Sequence, residues 1–347
     1  MKDKKTKLLI VGATQGGYGG IEAFMIAMAE AAAAWPEFDV RLCFKIVKGA
    51  TFKDDLRALA ENVCSQVYYV ERGSKELGAL VSWADVLHVQ NMPPDIVLPA
   101  KLLGKKIFLT VHNRRIPTAS LHNAIWAFTI KLAKQRWYNS NFVWGTWEPN
   151  TKSANSACVP TVCRLPHLQY PINQRRGFLF VGRWINHKGL EEILHAYAQC
   201  NFDPAEWPLT ILGDGPLKPT VLALQQELNL PQIHMPGFVD DNSKQHYLAS
   251  ARWLLAPART QEDMGLTPIE ARSVGVPAIV TRDGGLPESG GPAALLAEPG
   301  DIAGLADCMR QAAAMTITEY TERSMLSLDS LANYLKPMEF YRNAFRN

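Results

Sequence analysis

The sequence predicts an α/β protein with two doubly wound, parallel-sheet domains of the Rossmann-like type. Short apolar runs alternate with longer amphipathic runs, the apolar runs are continuous, and the whole series starts again after residue 176. Continuous apolar strands between amphipathic helices are typical of a parallel sheet that is covered on both faces. With 347 residues, of which 47% are hydrophobic, the chain is long enough to fold as two domains.

The predicted strands and helices alternate along each series. Each short apolar run predicts a strand, and each longer run with polar positions at helical spacing predicts a helix. In chain order, the first series consists of segments 7–13, 20–34, 39–45, 51–62, 66–70, 75–83, 85–91, 94–103 and 106–112. The second consists of segments 177–181, 187–200, 209–213, 217–229, 233–237, 242–251, 253–258, 266–274, 278–281 and 301–314.

A stretch without clear periodicity, framed by Pro166 and Pro171, separates the two series. Because such composition is typical of an inter-domain linker, we place the boundary at residues 165–173. The predicted domains are therefore 1–165 and 173–332. Open α/β sheets bind ligands beyond the carboxyl ends of their strands, so we expect the functional site in a cleft where the two sheets face each other.

Composition excludes several classes of protein. No uninterrupted apolar stretch approaches the roughly 18 residues that a membrane-spanning helix needs. The basic N-terminus leads directly into a strand pattern rather than into a signal peptide, so we expect a cytoplasmic protein. The six cysteines are scattered without a C-x-x-C pair, and the sequence therefore predicts neither a disulfide framework nor a zinc site.

Charge is distributed unevenly between the two halves of the chain. Residues 1–165 carry 21 Lys and Arg against 13 Asp and Glu, whereas the remainder carries 15 against 20. The basic half indicates an anionic partner, such as nucleic acid, an acidic lipid surface or a phosphorylated substrate. The alternative is a solvated basic face without a partner. Since no nucleic-acid-binding motif accompanies the charge, we expect no nucleic-acid partner.

The C-terminal domain carries charged residues where its predicted strands end. Arg183 and Lys188 follow its first strand, and a planar guanidinium beside a point charge suits a diphosphate. Glu262 and Glu270 lie eight residues apart, the first in a loop and the second in a helix. Carboxylates accept hydrogen bonds from vicinal hydroxyls, so this pair suits a ribose and a sugar. The helix start at Gly265 suits an anion.

The first strand of the N-terminal domain ends in a glycine-rich run, residues 12–20, that leads into a helix. Glycines let main-chain N–H groups at a helix start approach a phosphate or a sugar closely. The run matches neither the G-x-x-x-x-G-K-[ST] loop nor the G-x-G-x-x-G loop. A plain tight turn is therefore the alternative to a ligand contact.

In combination, these motifs resemble those of the retaining glycosyltransferases of the GT-B fold, in glycosyltransferase family 4. The resemblance covers most of the chain, and its most specific part is the E-x7-E element formed by Glu262 and Glu270. The other matching motifs are Gly19-Gly20, Asp85-Val86-Leu87-His88, Thr110-Val111-His112, Val181-Gly182-Arg183, Lys188-Gly189, Leu212-Gly213-Asp214-Gly215, Pro236-Gly237-Phe238-Val239 and Gly284-Gly285-Leu286-Pro287-Glu288. Two positions depart from the family pattern: Met264 replaces the usual aromatic residue, and Asn113 replaces a common acidic one.

The resemblance implies roles for the matching residues. Arg183 and Lys188 would hold the donor diphosphate and stabilise the leaving group. Glu262 would bind the transferred sugar, and Glu270 the ribose of the nucleotide. His112 would lie over the reacting carbon as the fourth catalytic residue, although strand-end packing is its alternative role.

The resemblance also implies further donor-binding residues. They are Gly19, Gly20, Gly213, Phe238, Val239, Gly265, Leu266 and Thr267. The main-chain N–H groups of Leu266 and Thr267 would meet the diphosphate, and the Phe238-Val239 loop would lie against the base. Gly20 would approach the phosphate from the N-terminal domain.

By the same resemblance, the reaction is the transfer of a sugar, with retention of anomeric configuration, from a UDP- or GDP-linked donor. The acceptor would be a saccharide or a lipid-linked glycan of the bacterial cell envelope. The sequence contains no D-x-D pair, so we expect no metal and no cofactor besides the nucleotide-sugar. Two alternatives share the fold: a nucleotide-sugar epimerase, and a nucleotide-sugar-binding module without turnover.

Further features of the sequence concern the acceptor and the membrane. Arg114 and Arg115 follow His112 after one residue, Asn113. There they match a phosphate or carboxylate on the acceptor or else steer anions in general. The aromatic and basic segment 121–147 predicts either core packing or peripheral contact of the N-terminal domain with the inner face of the membrane. The tail 333–347 has an apolar face at helical spacing and, by the resemblance, crosses back onto the first domain.

Overall fold

The computed structural model describes residues 4–118, 120–161 and 165–347. The chain forms two compact units: the first contains Met1–Arg164 and Leu335–Asn347, and the second contains Leu165–Tyr334. Cys43, Cys64, Cys200 and Cys308 carry free thiols, and Cys163 lies outside the described residues.

The segment 166–172, predicted as a linker, is part of the second unit in the structure. Ser273 Oγ donates a hydrogen bond to the Pro166 carbonyl at 2.9 Å. Leu168 and Tyr170 pack against the apolar core of the same unit. These contacts, which periodicity does not reveal, attach the segment to the second unit.

The first unit is built on a seven-stranded parallel sheet with the strand order β3-β2-β1-β4-β5-β6-β7. Its strands are β1 Thr6–Thr14, β2 Phe38–Ile46, β3 Val67–Glu71, β4 Val86–Gln90, β5 Lys106–Val111, β6 Gln135–Tyr138 and β7 Ser156–Cys158. In the interior strand β1, the four successive residues from Leu8 to Val11 are fully buried. Burial on both faces of a strand requires helices on both sides of the sheet, as the fold class predicts.

Helices connect the strands of the first unit. They are α1 Gly20–Ala33, α2 Asp54–Val63, α3 Lys75–Trp83, α4 Pro94–Leu102, α5 Leu121–Thr129 and α6 Asn141–Trp147. The predicted series ends at residue 112 and therefore omits α5, β6, α6 and β7. Strands β6 and β7 have only 4 and 3 residues, which is too short for an apolar run to stand out.

The second unit contains a six-stranded parallel sheet with the strand order β10-β9-β8-β11-β12-β13. Its strands are β8 Arg176–Val181, β9 Leu209–Leu212, β10 His234–Gly237, β11 Ala251–Ala256, β12 Ala278–Thr281 and β13 Leu295–Ala297. Its helices are α7 Leu190–Cys200, α8 Lys218–Glu227, α9 Asp241–Ser250, α10 Leu266–Ser273, α11 Leu286–Gly290, α12 Ile302–Ala314 and α13 Ile317–Tyr334. The two sheets confirm the prediction of two parallel α/β domains.

The helix predicted at 187–200 is divided in the structure. A 3-10 turn at Asn186–Lys188 precedes Gly189, which has a φ of 78°, and α7 begins only at Leu190. A Cβ at Gly189 would overlap the Pro257 carbonyl oxygen. Only glycine therefore fits this left-handed position, and the break changes the direction of the chain directly after Lys188.

The C-terminal helix α14, Met338–Arg346, belongs to the first unit. Tyr341 and Phe345 are buried in the core of that unit. Arg342 reaches Glu37 through two hydrogen bonds, of 2.8 and 3.0 Å, and this guanidinium lowers the pKa of the Glu37 carboxyl to about 2. Pro337 precedes the helix, where its missing N–H costs nothing.

Candidate functional site

Glycines at the carboxyl ends of β8, β9 and β10 let the chain segments that follow these neighbouring strands approach one another closely. Gly213 has a φ of 114°, and its N–H donates to the Gly237 carbonyl at 2.8 Å. A Cβ at Gly213 would overlap the Gly182 carbonyl oxygen. Gly213, one of the predicted donor-binding residues, thus permits the close approach of the chain segments that follow β8 and β9.

Two predicted catalytic cations follow β8. The Arg183 side chain is exposed. Lys188 ends the 3-10 turn, and its Nζ lies 2.6 Å from Glu262 Oε2, with 23% of each side chain exposed. Lys188 and Glu262, far apart in sequence, are therefore an ion pair, whereas Arg183 presents its guanidinium to solvent.

The loop that carries Glu262 is held by an acidic residue that the sequence analysis missed. The buried carboxylate of Asp283 accepts hydrogen bonds from the main-chain N–H groups of Gln261 and Glu262, at 2.6 and 2.8 Å. The Gly285 N–H donates to the Glu262 carbonyl at 2.7 Å, and a Cβ at Gly284 would overlap that carbonyl. The glycine pair after Asp283 was the available signal for this clamp.

The start of α10 presents the predicted anion-binding groups. The Gly265 N–H donates to the buried Ser289 Oγ at 3.0 Å, which fixes the residue before the helix. Leu266 and Thr267 open α10, so their main-chain N–H groups have no partner within the helix. Free N–H groups at a helix N-terminus favour a bound anion.

Glu270 lies one turn into α10 and is buried, with 6% of its surface exposed. Lys244 Nζ approaches Glu270 Oε1 to 3.1 Å and Asp241 Oδ1 to 3.2 Å. Burial raises the pKa of Glu270, and the Lys244 charge opposes that shift. Lys244, which no sequence motif indicates, therefore compensates a carboxylate that burial would otherwise make unfavourable.

Phe238 and Val239 follow β10 and differ in exposure. Val239 packs partly against the core of the second unit, whereas Phe238 is 85% exposed. An exposed aromatic ring beyond a strand end is a surface on which a planar ring can stack. This placement is compatible with the predicted contact to a base.

Gly19 and Gly20 begin α1 in the first unit. A Cβ at Gly19 would come within 2.9 Å of Glu22 Oε2, whereas a Cβ at Gly20 would meet no protein atom within 4 Å. Glu22 is buried and accepts a hydrogen bond from Thr14 Oγ1 at 2.7 Å. The space beside Gly20 at the start of α1 is therefore not filled by other atoms of the protein.

His112 is held rigidly at the end of β5. Its main-chain N–H donates to Asn91 Oδ1 at 2.9 Å, and its Nε2 lies 2.8 Å from Gln90 Oε1. Burial lowers the pKa of His112 to about 3, and burial with the nearby His112 lowers the pKa of His88 to about 3. Both imidazoles are therefore neutral near pH 7.

Lowering the pH from 7 to 5 is expected to destabilise the first unit. His88 and His112 have folded-state pKa values of about 3, below their unfolded value near 6.5. Their contribution to stability is therefore complete above about pH 6.5 and is lost as the pH falls towards 3, at a cost of about 2 kcal/mol per histidine at pH 5. Denaturant unfolding at both pH values measures this loss.

The His88→Gln variant is the control for that experiment. It removes one of the two buried imidazoles, so about half of the pH dependence should disappear. A free energy of unfolding that is the same at pH 5 and pH 7 in the wild type would contradict the expectation.

Arg114 and Arg115 follow His112 on the surface of the first unit. The Arg115 N–H donates to Thr146 Oγ1 at 2.9 Å, and its guanidinium lies 5.9 Å from the centre of the Trp147 ring. The side chain also lines a cavity of about 460 Å³, together with Lys131, Arg136 and Trp147. Glu148, paired with Arg136, and apolar residues line it as well. Of the predicted acceptor-side residues, Arg115 therefore borders a cavity of mixed polarity that also has Lys131 in its wall.

Within 4–118, 120–161 and 165–347, no three His, Cys, Asp or Glu side chains are placed to hold a metal ion. None of the helices in those ranges is long and apolar enough to cross a membrane.

Comparison with known proteins places these features in context. Residues 175–314 match the family model described as Glycosyl transferases group 1. The chain is 30% identical over 136 residues to 2-deoxystreptamine N-acetyl-D-glucosaminyltransferase of Niallia circulans, covering 38% of this chain and 35% of that protein. It is 33% identical over 122 residues to N-acetyl-alpha-D-glucosaminyl L-malate synthase of Bacillus anthracis, covering 35% and 31%. The chain thus matches about a third of the length of these curated relatives.

Solved structures show similarity over nearly the whole chain. The Anabaena protein HepE in complex with UDP has a TM-score of 0.75 at 15% identity, covering 98% of this chain and all of that one. The lipopolysaccharide outer core galactosyltransferase WaaB, in its apo form, has a TM-score of 0.71 at 17% identity, covering 98% and 99%. At this level of identity the similarity establishes the fold, which is GT-B.

Proposed function

We propose that the protein transfers a sugar from a nucleotide-sugar to an acceptor, on the premise that residues 175–314 match the family model of the group 1 glycosyl transferases. The observation that carries the proposal is the Lys188–Glu262 ion pair at 2.6 Å, with the exposed Arg183 five residues before Lys188 in the chain. A fixed carboxylate suits sugar hydroxyls, and fixed cations suit a diphosphate. The similarity to 2-deoxystreptamine N-acetyl-D-glucosaminyltransferase supports the proposal.

The donor is proposed to bind the second unit. Arg183 and Lys188 would bind the diphosphate together with the N-terminus of α10, Glu270 the ribose, and Phe238 the base. The exposure of Phe238 and the burial of Glu270 beside Lys244 are compatible with these roles. HepE structures with UDP and with UDP-glucose support a UDP-linked donor, and GDP is the alternative nucleotide.

In the proposed reaction, the bond between the anomeric carbon and the diphosphate breaks, and an acceptor hydroxyl oxygen bonds to that carbon on the face from which the diphosphate leaves. The hydroxyl proton passes to the departing diphosphate. The configuration is then retained. Negative charge develops on the departing diphosphate, and preorganised cations stabilise such charge more than they stabilise the ground state. We propose Arg183 and Lys188 for this role, without a metal ion.

A thermal-shift panel tests the donor. The nucleotide-sugar that is the donor is expected to stabilise the folded state by about 2.7 kcal/mol at about 100 times its Kd, and sugars linked to the other nucleotide should stabilise it less at the same concentration. The stabilising donor is then tested for release of the nucleoside diphosphate, with and without EDTA. Absence of stabilisation by any nucleotide-sugar would contradict the proposed donor site, and loss of turnover with EDTA would contradict metal independence.

The acceptor is proposed to carry a phosphate or a carboxylate that contacts the first unit. Arg115 borders a cavity that Lys131 also lines, and charge-assisted hydrogen bonds from arginine orient such groups. A saccharide or a lipid-linked glycan with an anionic group fits this chemistry.

The double variant Arg114→Ala/Arg115→Ala is expected to raise the acceptor KM by roughly tenfold or more, with donor affinity unchanged. Steady-state kinetics at low and high salt measure this effect. Lys5→Ala/Lys48→Ala removes the same charge from exposed positions of the same unit. It should raise the acceptor KM only by the amount that high salt abolishes. If both double variants had the same acceptor KM, the arginines would only steer anions in general, and the proposed contact with the acceptor would be contradicted.

A further inference from the structure

Several exposed large apolar side chains of the first unit lie on or beside α5. Leu121, Ile125 and Phe128 of α5 are 78%, 37% and 56% exposed, and Ile116 just before the helix is 58% exposed. Further exposed leucines lie at the C-terminal end of the neighbouring helix α4, which packs against α5. Soluble surfaces rarely gather apolar side chains in this way without a partner.

The spacing places these side chains on one face of α5. Residues 121, 125 and 128 follow the i, i+4, i+7 pattern of a single helix face. The opposite side of the helix is also apolar, because Trp126 packs against the core and Ile130, directly after the helix, is buried in it. One apolar side of α5 therefore packs against the core, and the other is exposed.

The exposed face is held firmly in place. The Asn123 side-chain amide donates to the carbonyls of Ile116 and Thr118, both at 2.8 Å. At the other end of the helix, Thr129 Oγ1 donates to the Met92 carbonyl at 3.0 Å. These bonds fix Ile116 and α5 relative to the sheet, so the apolar side chains project from a rigid surface.

The surroundings of this face are strongly basic. Between residues 96 and 161 the chain has nine Lys and Arg and a single acidic residue, Glu148. Glu148 is buried, lies 3.3 Å from Arg136 and accepts hydrogen bonds from Tyr138 and Ser156. Lys131 lies three residues after Phe128 and is exposed. Lys101 on the neighbouring helix α4 is exposed as well, whereas Asp95 of α4 is largely buried beside Lys45. The exposed charges of α4 and at the end of α5 are therefore positive.

We propose that α5, with Ile116 and Lys131, is a docking face for an anionic lipid surface. The apolar side chains would enter the boundary between headgroups and acyl chains, and the lysines would meet the anionic headgroups. Charge complementarity selects this occupant, because the exposed charged side chains beside the apolar face, Lys101 and Lys131, are both basic. The proposal does not depend on the transferase activity.

The residues differ from those that the sequence pattern suggested for membrane contact. In segment 121–147, Trp137 and Tyr138 are buried, and Trp126, Phe142, Trp144 and Trp147 pack against the core. Phe128 is the exception among the aromatic residues, and the rest of the exposed face is aliphatic. Composition alone cannot distinguish these two sets.

Vesicle flotation with the full chain tests the proposal. The wild type is expected to bind vesicles of phosphatidylcholine with about one-third phosphatidylglycerol and to bind pure phosphatidylcholine at least about tenfold more weakly. Ile125→Glu/Phe128→Glu should weaken binding to the anionic vesicles roughly tenfold or more. Lys131→Glu, which leaves the apolar face intact, should weaken it several-fold, and high salt should reduce this difference.

Met325→Glu/Leu326→Glu is the matched control, because it places two acids on exposed apolar positions of α13 in the second unit; its vesicle binding should equal that of the wild type. Equal melting temperatures verify that the variants fold. The proposal is overturned if the wild type binds neither vesicle, or if the α5 variants bind as the wild type does. It is also overturned if light scattering shows a dimer that Ile125→Glu/Phe128→Glu dissociates, because the face would then join two copies of the chain.

Discussion

Arg183→Ala is expected to lower kcat by about 10²- to 10³-fold, the effect of removing one preorganised group that stabilises developing charge. The Arg183 side chain is exposed, so its removal leaves no buried partner unsatisfied and the melting temperature should not change. Arg183→Lys keeps the charge but not the planar fork and should recover only part of the rate. Release of the nucleoside diphosphate under saturating donor and acceptor measures kcat.

Arg310→Ala is the matched control for this experiment. Arg310 is an exposed arginine on α12 of the same unit, and it pairs with Asp307 at 2.5 Å. Both variants remove one positive charge, but only Arg183 lies at the strand ends with Lys188 and Glu262. Wild-type kcat in Arg183→Ala, or equal losses in the two variants, would contradict the proposed role of Arg183.

Removal of residues 337–347 is expected to destabilise the first unit by most of its folding free energy. Tyr341 and Phe345 are 2% and 1% exposed, and the Phe345 ring centre lies 5.1 Å from that of Phe108. Truncating a buried aromatic side chain costs about 3–5 kcal/mol, and a domain is stable by only about 5–15 kcal/mol. The loss of both rings therefore approaches the stability of the unit.

Hydrogen exchange resolves the effect by unit. In the truncated chain, protection should fall in β1, β4 and β5 and persist in β8 and β11. Phe345→Ala alone should cost about 3–5 kcal/mol, whereas Asn343→Ala, at an exposed position of the same helix, should cost little. Equal protection of the first sheet before and after truncation would show that α14 does not stabilise it.

The sequence by itself determined the architecture, because buried parallel strands must be apolar along their whole length. The segments 75–83 and 278–281 coincide with α3 and β12, and most other boundaries lie within one or two residues of the observed ones. It also indicated the strand ends, where Arg183, Lys188 and Glu262 are found. Short elements such as β7 lack enough residues to produce a periodic signal, so the sequence did not predict them.

Only the tertiary structure decided which of these residues meet. Lys188 pairs with Glu262 across 74 positions, and Asp283 binds the loop that carries Glu262. Lys244 neutralises Glu270 from another helix. Hydrogen bonds and ion pairs depend on distances of a few ångströms between side chains remote in sequence, and local periodicity carries no information on those distances.

The same reason applies to the aromatic segment of the first unit. Its composition allowed both core packing and surface contact, since both use large apolar side chains. The packing of α5 placed Trp126, partly buried, against the core and left Leu121, Ile125 and Phe128 exposed. Which face of a doubly apolar helix meets the core depends on the neighbouring elements, and only the assembled fold contains them.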